Sequence, residues 1–195
     1  MGKIILVRHG ETELNRRGVY FGRLDPALNE TGRAQILKGK KRVERLHYDF
    51  VHASPLLRAY ESAKLICGDD RKIILDDRLM ELDFGVFEGL SYEEIKERYP
   101  EECEKHENEW KSYNYECGES PKQLQRRAVK FIKSLDKTKD HLVVTHWGVI
   151  ATILSYYFSK GLDSYWKFDI KNGGVVVIEF VGEHPILKEF NVGGE

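Results

Sequence analysis

Short β-branched apolar runs alternate along this chain with longer segments whose apolar residues recur every three to four positions, and no other feature constrains the fold as tightly. The runs cover residues 4–7, 50–53, 73–75, 142–145 and 175–180, each of a length that suits one strand. Between them, Ile36, Gly39, Val43 and Leu46 share one helical face. Ser54-Pro55 reads as a helix cap followed by proline at the first helical position, with Ala59, Ala63 and Ile66 along one side of the helix that follows. Ser91 and Glu94 form a capping box, and Pro100 marks the stop. Ser120-Pro121 with Gln123 repeats the cap-plus-proline logic, and Leu124, Ala128, Phe131 and Leu135 make the buried stripe behind it. Residues 149–158 are apolar nearly all round, which predicts a buried helix. This alternation predicts an α/β fold, a three-layer sandwich with a mostly parallel central sheet flanked by helices. The acidic, aromatic stretch 99–117 breaks the pattern, so a small helical cap insert is expected at about residues 91–118 of a single domain spanning 1–195.

Composition narrows the partners. Hydrophobic residues make up 41% and charged residues 32%, enough for a core and against disorder. Thirty-one basic residues against 32 acidic ones leave a net charge of −1, so there is no general attraction to nucleic acid or membrane. Any anion site must be local. Cys67, Cys103 and Cys117 show no CxxC or metal-like spacing, which points to a reducing compartment. The start lacks a basic-then-apolar leader pattern, and no apolar run is long enough to span a bilayer. A cytoplasmic protein is expected.

In open α/β sheets, ligands bind beyond the carboxyl ends of the strands. Arg8 and His9 follow the first expected strand, Ser54 and then Arg58 the second, Glu81 the third at a distance, and His146 the fourth. Arginine forks match phosphate geometry and stay charged. Arg58 is expected in the first turn of a helix, where free N–H groups favour an anion, and Trp147 and Gly148 open another helix in the same way. A neutral histidine in such a pocket can attack phosphorus, and nearby arginines favour the neutral form. The product is a phosphohistidine, which divides one difficult step into two. Glu81 is the candidate acid for the departing alkoxide, because a carboxyl beside a dianion keeps its proton. Arg8, Arg58 and His146 would stabilise the transferring oxygens, and no metal is required.

The other polar candidates have plainer explanations. His47, His52, His106, His141 and His184 lack ligand spacing and read as structural or surface residues. Trp110, Tyr113 and Tyr115 either pack the insert or line a substrate pocket, with the pocket slightly favoured. Tyr156, Tyr157 and Trp166 either pack a homodimer or serve the core.

The segments LVRHGETELN, ASPLLRAYESA, RLMELDFGVFEGLS and VVTHWGV, in that order, resemble the histidine phosphatase superfamily, the phosphoglycerate-mutase-like proteins. The resemblance covers nearly the whole chain. It implies that His9 is the phosphorylated nucleophile, that Arg8, Arg58 and His146 complete the phosphate pocket, and that Glu81 is the proton donor. By the same resemblance, Asn15 contacts the phosphoryl group, Thr12 lies at the helix start of the loop, and the Phe21-Gly22 backbone lies near substrate. Trp147 departs from the pattern, since many members have glycine there; its bulk changes the pocket's shape rather than the chemistry. The resemblance implies no cofactor, and a small phosphorylated metabolite as partner. The short insert favours a phosphatase over a mutase. The overall length and ELDFGVFEG look most like α-ribazole-5′-phosphate phosphatases of cobalamin biosynthesis, with broad-specificity phosphomonoesterases nearly as similar. Fructose-2,6-bisphosphatase-like and phosphoserine-phosphatase-like members, a phosphoglycerate mutase and a non-catalytic phosphate-binding module are the alternatives.

Overall fold

A computed structural model describes residues 2–194. Its strands are β1 (Lys3–Arg8), β2 (Phe50–Ala53), β3 (Ile73–Leu75), β4 (His141–Thr145), β5 (Val175–Val181) and β6 (His184–Val192). Its α-helices are α1 (Glu13–Arg17), α2 (Glu30–Val43), α3 (Leu57–Cys67), α4 (Tyr92–Arg98), α5 (Pro100–Glu109), α6 (Pro121–Ser134) and α7 (Trp147–Phe158).

Alternation along β1 builds the layers. Ile4 and Leu6 point to one face, where they join Phe131 of α6 and Val149 and Ile153 of α7. Ile5 and Val7 point to the other, against Ile36 and Val43 of α2 and Ala63 of α3. Both faces are covered, so β1 reads as an unbroken apolar run. Leu6 is wholly buried, and truncating it to alanine would cost about 2–5 kcal/mol. The sheet order is β3-β2-β4-β1-β5-β6. β1 and β4, β4 and β2, and β2 and β3 pair in parallel, whereas β5 runs antiparallel to β1 and β6 antiparallel to β5. The three-layer α/β expectation therefore holds, with an antiparallel pair added at one edge.

β6 was not expected from the sequence. It is an exposed edge strand with a proline near its start, so its apolar residues lack a buried face. Its signal lay in the turn: Gly182, at φ +61°, and Glu183 form a two-residue hairpin loop.

Two caps match the sequence reading and one does not. Ser91 with Glu94 and Ser120 with Gln123 both form capping boxes. Ser54, by contrast, caps nothing: α3 begins at Leu57, behind Leu56 in an extended conformation. Pro100 ends α4 and also opens α5, so the insert carries two helices. Ile95, Cys103, Tyr113 and Tyr115 from this region are buried in the same cluster as Leu79 and Phe87. No described helix is long and apolar enough to cross a membrane.

Candidate active site

Register brings the site together. Arg8 pairs with Thr145 across β1 and β4, and Ala53 with Val144 across β2 and β4. The residues that leave these strands, His9, Ser54 and His146, therefore share one sheet edge. The His9 N–H donates to the Thr145 carbonyl at 2.9 Å, fastening the turn at the end of β1.

His9 is 3% exposed. Its Nδ1 lies 2.7 Å from the Gly10 carbonyl, which can only accept, so Nδ1 carries the proton and Nε2 keeps its lone pair. Burial, then the charges of Arg58 and Arg8, hold its pKa well below the usual imidazole value, so the ring is neutral at physiological pH. His146 is fully buried, edge-on to His9 with ring centroids 5.0 Å apart. Its pKa is likewise driven down, first by burial and then by Arg58. Ser54 Oγ accepts the Leu56 N–H at 3.3 Å and lies 2.8 Å from His146 Nε2. With that oxygen already accepting, its O–H is free to donate to Nε2, leaving the His146 proton on Nδ1.

Arg58 is the largest wholly buried side chain. Its terminal nitrogens donate to the carbonyls of Leu24 and Gly22, each at 2.8 Å, and Phe21 lies under its guanidinium at 4.8 Å. Arg8 donates to the Ile170 carbonyl. Burial lowers both arginines to a pKa of about 10, still well above neutrality. Three buried nitrogens in this neighbourhood have no hydrogen-bond partner among the described residues: Arg8 Nε, Arg58 Nε and His146 Nδ1. All three are donors, and buried donors without partners are costly unless an anion takes them.

Glu81 is 8% exposed and accepts the Leu82 N–H at 2.8 Å and the Gly148 N–H at 3.0 Å. The N–H expected to meet the anion at the start of α7 is thus spent on the carboxylate. A Cβ at Gly148 would stand 2.3 Å from Glu81 Oε1, so a larger residue there would push the carboxylate aside. Gly10 is required for a different reason from the one its place beside the anion suggests. A Cβ at Gly10 would meet the Gly32 carbonyl at 2.3 Å, so it lets β1 approach the start of α2.

Arg8, His9, Asn15, Arg58 and Glu81 line one end of a cavity of about 300 Å³. The remaining wall is largely apolar. Tyr20, Phe84 and Tyr115 contact one another ring to ring, as do Trp147, Tyr165 and Trp166, and Phe21 and Leu82 complete the lining. Trp147 stacks on Trp166 at 5.3 Å, and its indole N–H donates to the Phe168 carbonyl at 3.2 Å. Tyr165 meets both rings edge-on.

Several expected residues land elsewhere. Thr12 is not on the cavity wall: its hydroxyl caps α1 in a reciprocal box with Asn15. Asn15 does line the cavity, held there by that box. Phe21 reaches the wall, but Gly22 turns its N–H to Glu88 and its carbonyl to Arg58, so it supports the site from behind. Of the insert aromatics only Tyr115 lines the cavity, while Tyr113 packs on Phe87 and Trp110 backs Tyr165. Trp166, read as dimer or core packing, is instead a cavity residue. Tyr165 and Trp166 sit on a short 3-10 turn after α7, where no periodicity marks them. His52 and His141 form a buried pair at 3.1 Å, remote from the cavity.

Comparison with known proteins shows the family and the fold. The family profile of the histidine phosphatase superfamily (branch 1) matches residues 4–193. Phosphoserine phosphatase 1 of Hydrogenobacter thermophilus is 31% identical over 196 residues, covering 98% of this chain and 93% of that protein. Among solved structures, the phosphoserine phosphatase of Entamoeba histolytica, in complex with 3-phosphoglyceric acid, superposes with a TM-score of 0.85 at 28% identity, covering 98% of this chain and 97% of that one. The α-ribazole phosphatase of Shigella flexneri has the same fold, with a TM-score of 0.90 at 24% identity and coverage of 98% and 97%.

Proposed function

This chain belongs to the histidine phosphatase superfamily, and from that premise we propose that it hydrolyses phosphate monoesters through a phosphohistidine at His9, with α-ribazole 5′-phosphate, an intermediate of cobalamin assembly, as its ester. The chemistry rests on the three unpartnered donors, Arg8 Nε, Arg58 Nε and His146 Nδ1, gathered around a neutral imidazole.

The reaction runs in two displacements. His9 Nε2 attacks phosphorus, the P–O ester bond breaks, and its electron pair leaves on the alcohol oxygen. Glu81 protonates that oxygen, so a neutral alcohol departs. The Nδ1–H bond to the Gly10 carbonyl persists throughout and steadies the ring as it gains positive charge. In the second step Glu81, now a carboxylate, takes a proton from water. The water oxygen attacks phosphorus, the P–N bond breaks, and its pair returns to Nε2. Arg8 and Arg58 hold the phosphoryl oxygens in both steps, in a buried site where such contacts are worth more than in water.

The substrate assignment rests on the far end of the cavity. Its charged lining residues, Arg8, Arg58 and Glu81, all stand at the phosphate end. A flat, uncharged group such as a benzimidazole fits the aromatic wall. Phosphoserine is the second reading, favoured by the relative from Hydrogenobacter thermophilus. Its carboxylate and ammonium would find no charged partner on that wall, only tyrosine hydroxyls, the Trp166 indole N–H and Asn15.

Steady-state rates on α-ribazole 5′-phosphate, phosphoserine and 3-phosphoglycerate test this. We expect kcat/KM for the first to exceed the second by about 10-fold or more, the scale of one aromatic contact. The reverse order would transfer the assignment to phosphoserine. Isomerisation of 3-phosphoglycerate faster than phosphate release would make the protein a mutase.

A further inference from the structure

Glu81 is carried by an irregular segment, two residues beyond the 3-10 turn Asp77–Leu79. Backbone carbonyls in such a segment have no ladder to join and need other partners. One side chain supplies most of them. Arg127, from α6, donates through one terminal nitrogen to the carbonyls of Arg78, at 2.9 Å, and Met80. Its other terminal nitrogen donates to the Glu81 carbonyl at 2.8 Å. The remaining carbonyl of the run, Leu79, takes the Thr145 hydroxyl at 2.7 Å.

Arg127 is itself held. Its Nε and a terminal nitrogen bind the Glu119 carboxylate. Glu119 also accepts the Asp83 N–H at 3.3 Å and lies 3.6 Å from Arg23. The Arg127–Glu119 pair thus fastens the chain on both sides of Glu81. Arg127 does not line the cavity, so it reaches the chemistry only through the residue it holds.

We infer that Arg127 is the positioning residue for the general acid: its fork grips the 78–81 backbone and sets the Glu81 carboxyl against the leaving oxygen. The inference rests on the role proposed above for Glu81. Lysine would not replace it, because a single ammonium cannot span three carbonyls and a carboxylate. A misplacement of about 1 Å costs about 10²-fold in rate. That cost falls on esters whose leaving group needs a proton.

The test compares two esters with each variant. p-Nitrophenyl phosphate leaves without a proton, whereas 2-phenylethyl phosphate has an alkoxide leaving group of similar size. Read as kcat/KM, which reports transfer onto His9 and not the later hydrolysis that Glu81 also serves, Glu81→Gln should lose about 10³-fold on the alkyl ester and under about 10-fold on the aryl ester. Arg127→Met should show the same split, with about a 10²-fold loss on the alkyl ester. Added to Glu81→Gln, it should cost nothing further on that ester, because the two act as one unit. Equal losses on both esters, or losses that multiply in the double variant, would overturn the inference. Should Arg127→Met fail to fold, Arg127→Lys decides by the same split. If Glu81→Gln itself shows no split, the acid assignment fails first. A split with Glu81→Gln but not with Arg127→Met overturns the positioning role alone.

Discussion

At the phosphate end of the cavity Arg58 and His146 are 0% exposed, while at the other end Trp166 is 59% exposed. The first end is held from many sides: Arg58 is tied to two carbonyls, His146 to Ser54, and Glu81 to two backbone N–H groups. The second end is held by ring contacts and one indole hydrogen bond. Buried polar groups tolerate little change, because a lost partner leaves a desolvated group behind. Trp166, the exposed part of the aromatic wall, can be altered at small cost to the fold, whereas Tyr115 and Tyr165 are buried in the core. On the function proposed above, chemistry belongs to the buried polar end, and Trp166 is the wall residue freest to set selectivity.

Substitutions can break or sharpen that contrast. The largest effect is expected from His9→Ala, which should lower kcat for every phosphate ester by about 10⁵-fold, the scale for removing a nucleophile. Activity that survives on any ester would mean the phosphate end is not the common element. Arg58→Met should reduce kcat/KM by about 10³-fold, again regardless of the alcohol, since it removes charge stabilisation from the transferring group. A loss confined to bulky esters would place Arg58 with the aromatic wall instead. Trp166→Ala should act in the opposite manner. We expect KM for α-ribazole 5′-phosphate to rise about 10-fold while kinetics on glycerol phosphate stay unchanged. Equal effects on both esters would dissolve the division between the ends.

The sequence showed these two ends unequally. Arg8 ends a buried strand and His9 and His146 each follow one, so strand periodicity alone brings them to one edge. Arg58 follows from the helix after β2, although its helix starts two residues later than the Ser54-Pro55 reading suggests. Ser54 was misread because a serine before proline has the same appearance whether it caps a helix or, as here, supports a histidine in the core. Thr12 shows the converse: it stands at the helix start that the resemblance implied, as the cap of α1, and does not reach the cavity. Tyr165 and Trp166 were hidden more deeply. They lie on a 3-10 turn between α7 and β5, and only tertiary folding turns them to the cavity. The α/β layering was evident because it depends on repeated local patterns, whereas β6, lacking a buried face, was not.

The smallest effect is on stability. His9 and His146 are held neutral by burial, as is His52, whose pKa is lowered to about 4. In the unfolded chain these rings take up protons near the usual imidazole value of 6.5. Above that pH both states are neutral and stability is full. As pH falls below it, the unfolded state gains protons that the fold refuses, so stability declines progressively toward about pH 4. Thermal denaturation should show Tm falling across this window. A Tm that is flat or rising there would mean the histidines are charged in the fold.

The central claim, that His9 carries the phosphoryl group, is tested most directly by rapid quenching during turnover of p-nitrophenyl phosphate, followed by peptide mapping. The account predicts one acid-labile, base-stable phosphoryl group on His9, formed and lost at rates that match turnover and absent from His9→Ala. Turnover without any phosphoenzyme, or a phosphoryl group on another residue formed at a competent rate, would contradict it.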